Sequence, residues 1–148
     1  MKIVYKAIAL CIIITFSFAA QAQILSSNRQ NYFNRYADKL PTSATELNKV
    51  FNAPEGSKVK INFSDFSFNG IVTSSIKRFD NLYSVIVKSP VLDNTILSIS
   101  KRINRDNSVS YTGRIINQKY ADGFELRKGT DGVYAMNKIK TDELIEDY

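Results

Sequence analysis

The chain has 148 residues, no His, no Trp and one Cys, with 20 Lys and Arg against 14 Asp and Glu for a formal charge of +6. Without imidazole there is no Ser-His-Asp or Cys-His relay, and without paired thiols there is neither a disulfide framework nor a Cys/His zinc site. Carboxylate, Lys, Tyr and Ser/Thr chemistry remain.

Residues 1–22 read as a cleaved export signal. Lys2 and Lys6 give a positive start, Ala7 to Ala20 an apolar run, and Ala20-Gln21-Ala22 an A-x-A cleavage site. That run of 14 residues is shorter than the roughly 20 that span a bilayer, so no transmembrane anchor is expected after cleavage. Cys11 lies within the run, behind Leu10 where lipid attachment wants a small residue, and it leaves with the signal. The expectation is a periplasmic or secreted protein whose residues 23–148 form one domain. Four acids and no base fall in the last eight residues, TDELIEDY, so the preceding body is basic. Solubility, with the acidic tail folded back on that body, accounts for the balance without a specific anionic partner.

In NRQNYFNRYADKL, Tyr32, Phe33, Tyr36, Ala37 and Leu40 have helical spacing, which predicts a helix over about 28–40 that Pro41 ends. Ser43 followed by Glu46 is a capping-box signature, and Ala44, Leu47, Val50 and Phe51 supply an apolar stripe for a second helix over about 43–53. Pro54 and Gly56 close it. From Ser57 the period becomes two. Val59, Ile61 and Phe63 alternate with polar residues, as do Phe66, Phe68, Val72 and Ile76; Tyr83, Val85 and Val87; Leu97, Ile99 and Ile103; Val109, Tyr111 and Ile115; Phe124 and Leu126; Tyr134 and Met136.

Asp65, Asp80, Asp93, Asp106, Asp122 and Asp131 all fall at breaks between these runs. Asp, Asn and Gly suit tight turns, and Asp122-Gly123 and Asp131-Gly132 suit two-residue hairpins, so the aspartates are read as turns of an antiparallel meander. A calcium site would need several oxygens converging, whereas the acids are spread one to a loop. Gly70 and Gly113 sit where strands should continue, each two residues after an aromatic, and mark a bulge or a strong bend. Asn69-Gly70 is alternatively a hairpin turn, which would add a strand.

The expected architecture is α+β and mainly β: two short N-terminal helices, then a six- to seven-stranded curved antiparallel meander over about 57–140. Helices with one apolar stripe need a partner, which favours a half-barrel or open sheet with helical cover over a closed barrel.

The face opposite the apolar alternation carries Ser67, Thr73, Ser75, Lys77, Ser98, Ser100, Ser110, Thr112, Arg114 and Arg127. Such a row is ordinarily a solvated face. As a partner surface, its candidates are Thr73, Ser75, Lys77, Ser98, Ser100, Thr112 and Arg114, whose hydroxyls and guanidinium suit a protein, peptide or glycan of the envelope. A second function would be carriage of a small apolar ligand inside the curved sheet, lined by Phe66, Phe68, Val85, Leu97 and Tyr111. A third is a carboxylate hydrolase, for which Asp122 with Glu125, or Glu55 with Asp65, are the local pairs. No nucleotide, zinc-protease or serine-hydrolase motif occurs. A non-catalytic binding protein is expected, without a cofactor, a metal or a nucleic-acid partner.

Overall fold

The structure, a computed structural model, describes residues 29–141. The expected export signal, and the acidic tail beyond Thr141, lie outside these residues.

In chain order the elements are strand β1 (Lys39–Thr42), helix α1 (Ala44–Asn48) continued by a 3-10 turn (Lys49–Asn52), and strands β2 (Lys58–Phe63), β3 (Phe66–Phe79), β4 (Leu82–Ser89), β5 (Thr95–Ile103), β6 (Val109–Ile116), β7 (Asp122–Lys128) and β8 (Tyr134–Lys140). All pair antiparallel in one eight-stranded sheet of order β1-β8-β7-β6-β5-β4-β3-β2. The meander is present from β2 to β8. One strand more and one helix fewer are found than the sequence suggests.

Both differences have one origin. Residues 29–38 form turns instead of the helix expected over 28–40, and Lys39–Thr42 pairs with β8. Leu40 precedes Pro41, and the residue before a proline is pushed toward extended backbone. Pro41 has no N–H to donate, which a strand tolerates only at a sheet edge, where β1 lies. The aromatic residues with helical spacing serve another purpose: Phe33 enters the core, where its ring lies 5.2 Å from Phe124 and 6.2 Å from Phe66.

The second helix is present in shortened form. Ser43 caps it, its Oγ accepting from the N–H of Glu46 at 3.1 Å, and Leu47 and Val50 are buried. Ala44, expected in the stripe, is exposed. Phe51 continues the apolar side against Tyr111.

The sheet curls around these pieces as a half-barrel. Phe33 and Tyr36 fill the end where β3 and β7 begin, while Phe51 covers the end where β6 begins. The concave face supplies the remaining core, including Ile61, Phe63, Phe68, Leu97, Ile99, Ile115 and Met136. Each such side chain contributes about 1.5–3 kcal/mol by leaving water.

Close strand approach explains the interior glycines. A Cβ on Gly70 would lie 2.6 Å from Val87 Cγ1, and one on Gly113 would lie 2.6 Å from the Ser98 carbonyl oxygen. Gly70 is therefore strand interior and Asn69-Gly70 is not a hairpin. The irregularities fall further on, at Thr73 and again at Arg78, where the register with β4 shifts between Val72 and Ser74 and between Lys77 and Phe79. A one-residue insertion reverses the faces beyond it. Ile76, expected inside, is thus exposed opposite Ser84, while Ser75 and Lys77 lie opposite Val85 and Tyr83.

Five of the six aspartates do sit in connections: Asp65, Asp80, Asp93, Asp106 and Asp131. In two loops the residue after the turn, Asn107 or Gly132, takes φ of 63° or 80°, the pattern of a type I turn with a G1 bulge and not of a two-residue hairpin. Asp122 is the exception. It opens β7 and is buried, and Gly123 beside it is also strand, where a Cβ would lie 2.5 Å from the Ile115 carbonyl oxygen.

Candidate functional site

On the convex face, alternation along β5 and β6 turns Ser98, Ser100, Thr112 and Arg114 away from buried Leu97, Ile99, Tyr111 and Ile115. Ser98 stands opposite Arg114, and Ser100 opposite Thr112. These four of the seven surface candidates line one shallow cleft of about 570 Å³, together with Gly113, Ile116, Glu125 and Leu126. Across the Ser100 side, the hydroxyls of Ser84 and Ser100 share a hydrogen bond of 2.9 Å.

Arg114 is held in place from β7. Its Nε and Nη2 donate to Glu125 Oε1 at 3.2 and 3.0 Å, and Arg127 binds the other oxygen, Oε2, through Nε at 2.7 Å and Nη2 at 2.6 Å. Partial burial pushes the Glu125 carboxyl up, but the hydrogen bonds and charges of Arg127 and Arg114 outweigh it and hold the group below the usual carboxylate range. A guanidinium has five N–H donors, and Glu125 occupies two of those on Arg114, so three remain for a ligand. A second cleft of about 780 Å³ shares Arg114 and Glu125 with the first and extends toward Asn31, Asp38 and Lys138.

The other three surface candidates are elsewhere. Thr73 sits in the bulge with its hydroxyl donating to the Ile86 carbonyl at 3.3 Å, and Ser75 and Lys77 are on the opposite face because of it. Ser75 also donates its backbone N–H to Glu55, at 2.6 Å.

The five residues suggested as an apolar ligand lining, Phe66, Phe68, Val85, Leu97 and Tyr111, are all buried in the core. Phe66 packs on Tyr36, Phe63 and Phe124 at ring distances of 4.6 to 6.2 Å. None of the five lines either of these two clefts or a third beside β2.

Asp122 and Glu125 both border the second cleft. Asp122 gives both oxygens to backbone N–H groups, those of Tyr32 at 2.6 Å and Phe33 at 2.8 Å, whereas Glu125 lies between two arginines. Glu55 and Asp65 flank opposite ends of β2, whose six residues span about 20 Å. Among the described residues no three acidic side chains gather where a metal ion would sit.

Sequence reasoning missed two things. Glu125 reads in the sequence as one acid of a pair or as a surface strand glutamate, whereas its register opposite Arg114 makes it the group that orients that side chain. The free edge of β2 was not localised at all. Since the Val72 N–H of β3 donates to the Ser57 carbonyl, the alternate residues Lys58, Lys60 and Asn62 turn their backbone groups toward the open edge. At Asn62 they are covered: Glu46 Oε2 accepts its N–H at 3.1 Å, and Thr42 Oγ1 donates to its carbonyl at 3.0 Å. Beside the uncovered part is a cleft of about 440 Å³ reaching Gly70, Ile71 and Val91.

No family model matches the chain, and no curated protein or solved structure matches it. The fold and the site define it as an eight-stranded curled antiparallel sheet with a polar cleft on its convex face.

Proposed function

We propose that this is an exported, non-catalytic binding protein of the periplasm or cell exterior, which holds a peptide or glycan of the envelope on the convex face of its sheet. The observation that carries this reading is the cleft that Ser98, Ser100 and Thr112 line together with Arg114, whose guanidinium Glu125 already orients. A held guanidinium loses little rotamer freedom on binding, so its remaining donors act at low entropic cost. Carriage of an apolar ligand has less support, because the residues proposed to line its pocket fill the core with one another.

A soluble digest of cell-wall glycopeptides is the probe, followed by amide chemical shifts of the protein. The expected shifts concentrate on residues 98–100 and 112–114, and Arg114→Ala weakens binding about tenfold, the order of one charge-assisted hydrogen bond. Shifts confined to core amides, or binding indifferent to Arg114→Ala and Thr112→Val, would overturn it.

A further inference from the structure

Among the described residues, four of the six exposed large apolar side chains, Phe79 at 69% exposure, Ile76 at 41%, Val109 at 40% and Val133 at 49%, lie at the end of the sheet formed by the β3–β4, β5–β6 and β7–β8 turns, while Val91 and Ile96 lie at the other end. The register places Phe79, Leu82, Arg102 and Ser110 as successive neighbours across the strands, with Val109 one residue beyond toward the turns. Phe79 thus closes the β3–β4 hairpin, Val109 begins β6 on the other face of the sheet beside the β5–β6 turn, and Val133 ends the β7–β8 loop.

Charge is concentrated at the same end. Lys77, Arg78, Arg102, Arg105 and Lys128 are all exposed there. Three acids lie there too, which leaves the end at about +2 by 5 minus 3: Asp80 pairs with Lys77, Asp106 accepts from Ser108 and Asp131 from the Val133 N–H. Arg78, Arg102 and Arg105 have no acidic partner among the described residues.

We infer that this hairpin end docks on an anionic lipid surface, Phe79 entering the interface and the flanking bases lying among the headgroups. Separate apolar tips surrounded by arginines suit a bilayer interface, which takes up protruding side chains singly, better than a protein partner, whose interface core wants a contiguous patch depleted of charge. Each base near such a surface strengthens the attraction, and added salt screens it. This docking is independent of the polar cleft, since Arg114 and its neighbours lie lower on the convex face.

The chain has no Trp, so Phe79→Trp gives a single reporter. The experiment adds residues 23–148, which contain the whole described fold, to phosphatidylcholine vesicles with or without about 30% phosphatidylglycerol, an anionic surface of the kind that attracts basic segments. The expected result is a blue-shifted emission from the indole that Phe79→Trp introduces and co-sedimentation with the anionic vesicles only, both weakened by added salt. Phe79→Ser should weaken partitioning about tenfold or more, the order for withdrawing one phenyl ring from an apolar phase. Arg114→Ala should leave it unchanged. Circular dichroism checks that Phe79→Ser, an exposed change, keeps the fold. Absence of vesicle binding overturns the proposal, as does binding that Phe79→Ser leaves intact. A dimer in solution that Phe79→Ser dissolves, without vesicle binding, also overturns it and assigns the hairpin end to a second copy of the chain.

Discussion

At the scale of single residues, the N-terminal segment depends on Asp122. This carboxylate is 3% exposed and accepts the N–H groups of Tyr32 and Phe33, while the Ala121 N–H donates to the Gln30 carbonyl at 3.1 Å. Tyr32 then stacks on Tyr120 at a ring distance of 4.5 Å, and Tyr120 in turn donates its hydroxyl to Asp93 at 2.9 Å. The Phe33 plug is therefore anchored by one side chain from the other end of the sequence. Asp122→Ala leaves two N–H groups without their acceptors, one of them in a buried bond, and should cost about 2–4 kcal/mol, since a hydrogen bond to a charged group is worth about 1.5–3. Asp122→Asn keeps one acceptor oxygen and should fall between that variant and the wild type. Urea unfolding midpoints test the order, and an Asp122→Ala protein as stable as the parent would show that Phe33 is held by packing alone.

At the scale of elements, β5 and β6 owe their close approach to Gly113, whose added methyl would meet the Ser98 carbonyl oxygen and the Ile99 Cα. Both are backbone atoms, so the strand itself must shift, and Gly113→Ala should destabilise by about 1–3 kcal/mol, as overpacking does. Since Ser98 lines the polar cleft, the same variant should also weaken glycopeptide binding. Titration calorimetry at a temperature where it remains folded would separate the two losses. How far the elements were legible follows from what sets them. The meander from β2 to β8 shows in the sequence because period-two alternation and Asp/Asn breaks are local signals. The N-terminal strand does not, because Tyr32, Phe33 and Tyr36 satisfy a helical period while the decision rests with two distant partners, Asp122 and the open side of β8. The bulge at Thr73 was likewise invisible: one extra residue in a continuous strand changes the face of Ser75, Ile76 and Lys77 and leaves no compositional mark. Of the partner-surface candidates, those beyond the bulge were misplaced for that reason, and those on β5 and β6 were brought together because nothing interrupts their alternation.

At the scale of the whole molecule, the open side of the half-barrel lies between β1 and β2, and Asn62 is where the two sides meet. Pro41 removes one N–H from the β1 edge, and Thr42 reaches across to the Asn62 carbonyl. Glu46 Oε2 takes the Asn62 backbone N–H, and Asn62 Nδ2 lies 3.3 Å from the same oxygen. An uncovered edge strand is a template for pairing with another chain, so this contact closes the fold and also protects it. The hydrogen bonds from Lys49 and from the Asn62 backbone hold the Glu46 carboxyl below the usual range. A depressed folded-state value means the contribution is fully present above about pH 4.3, where an unfolded glutamate titrates, and is lost as pH falls through the lower folded value. Glu46→Ala should therefore unfold more easily than wild type at pH 7, yet lose less stability between neutral and acid pH. Its exposed β2 edge should also promote self-association as concentration rises. Denaturant curves across pH and sedimentation velocity at several concentrations read these effects. Parallel pH dependences for the two proteins would mean that Glu46 is a helix-surface group and that the sheet edge is closed by Thr42 alone.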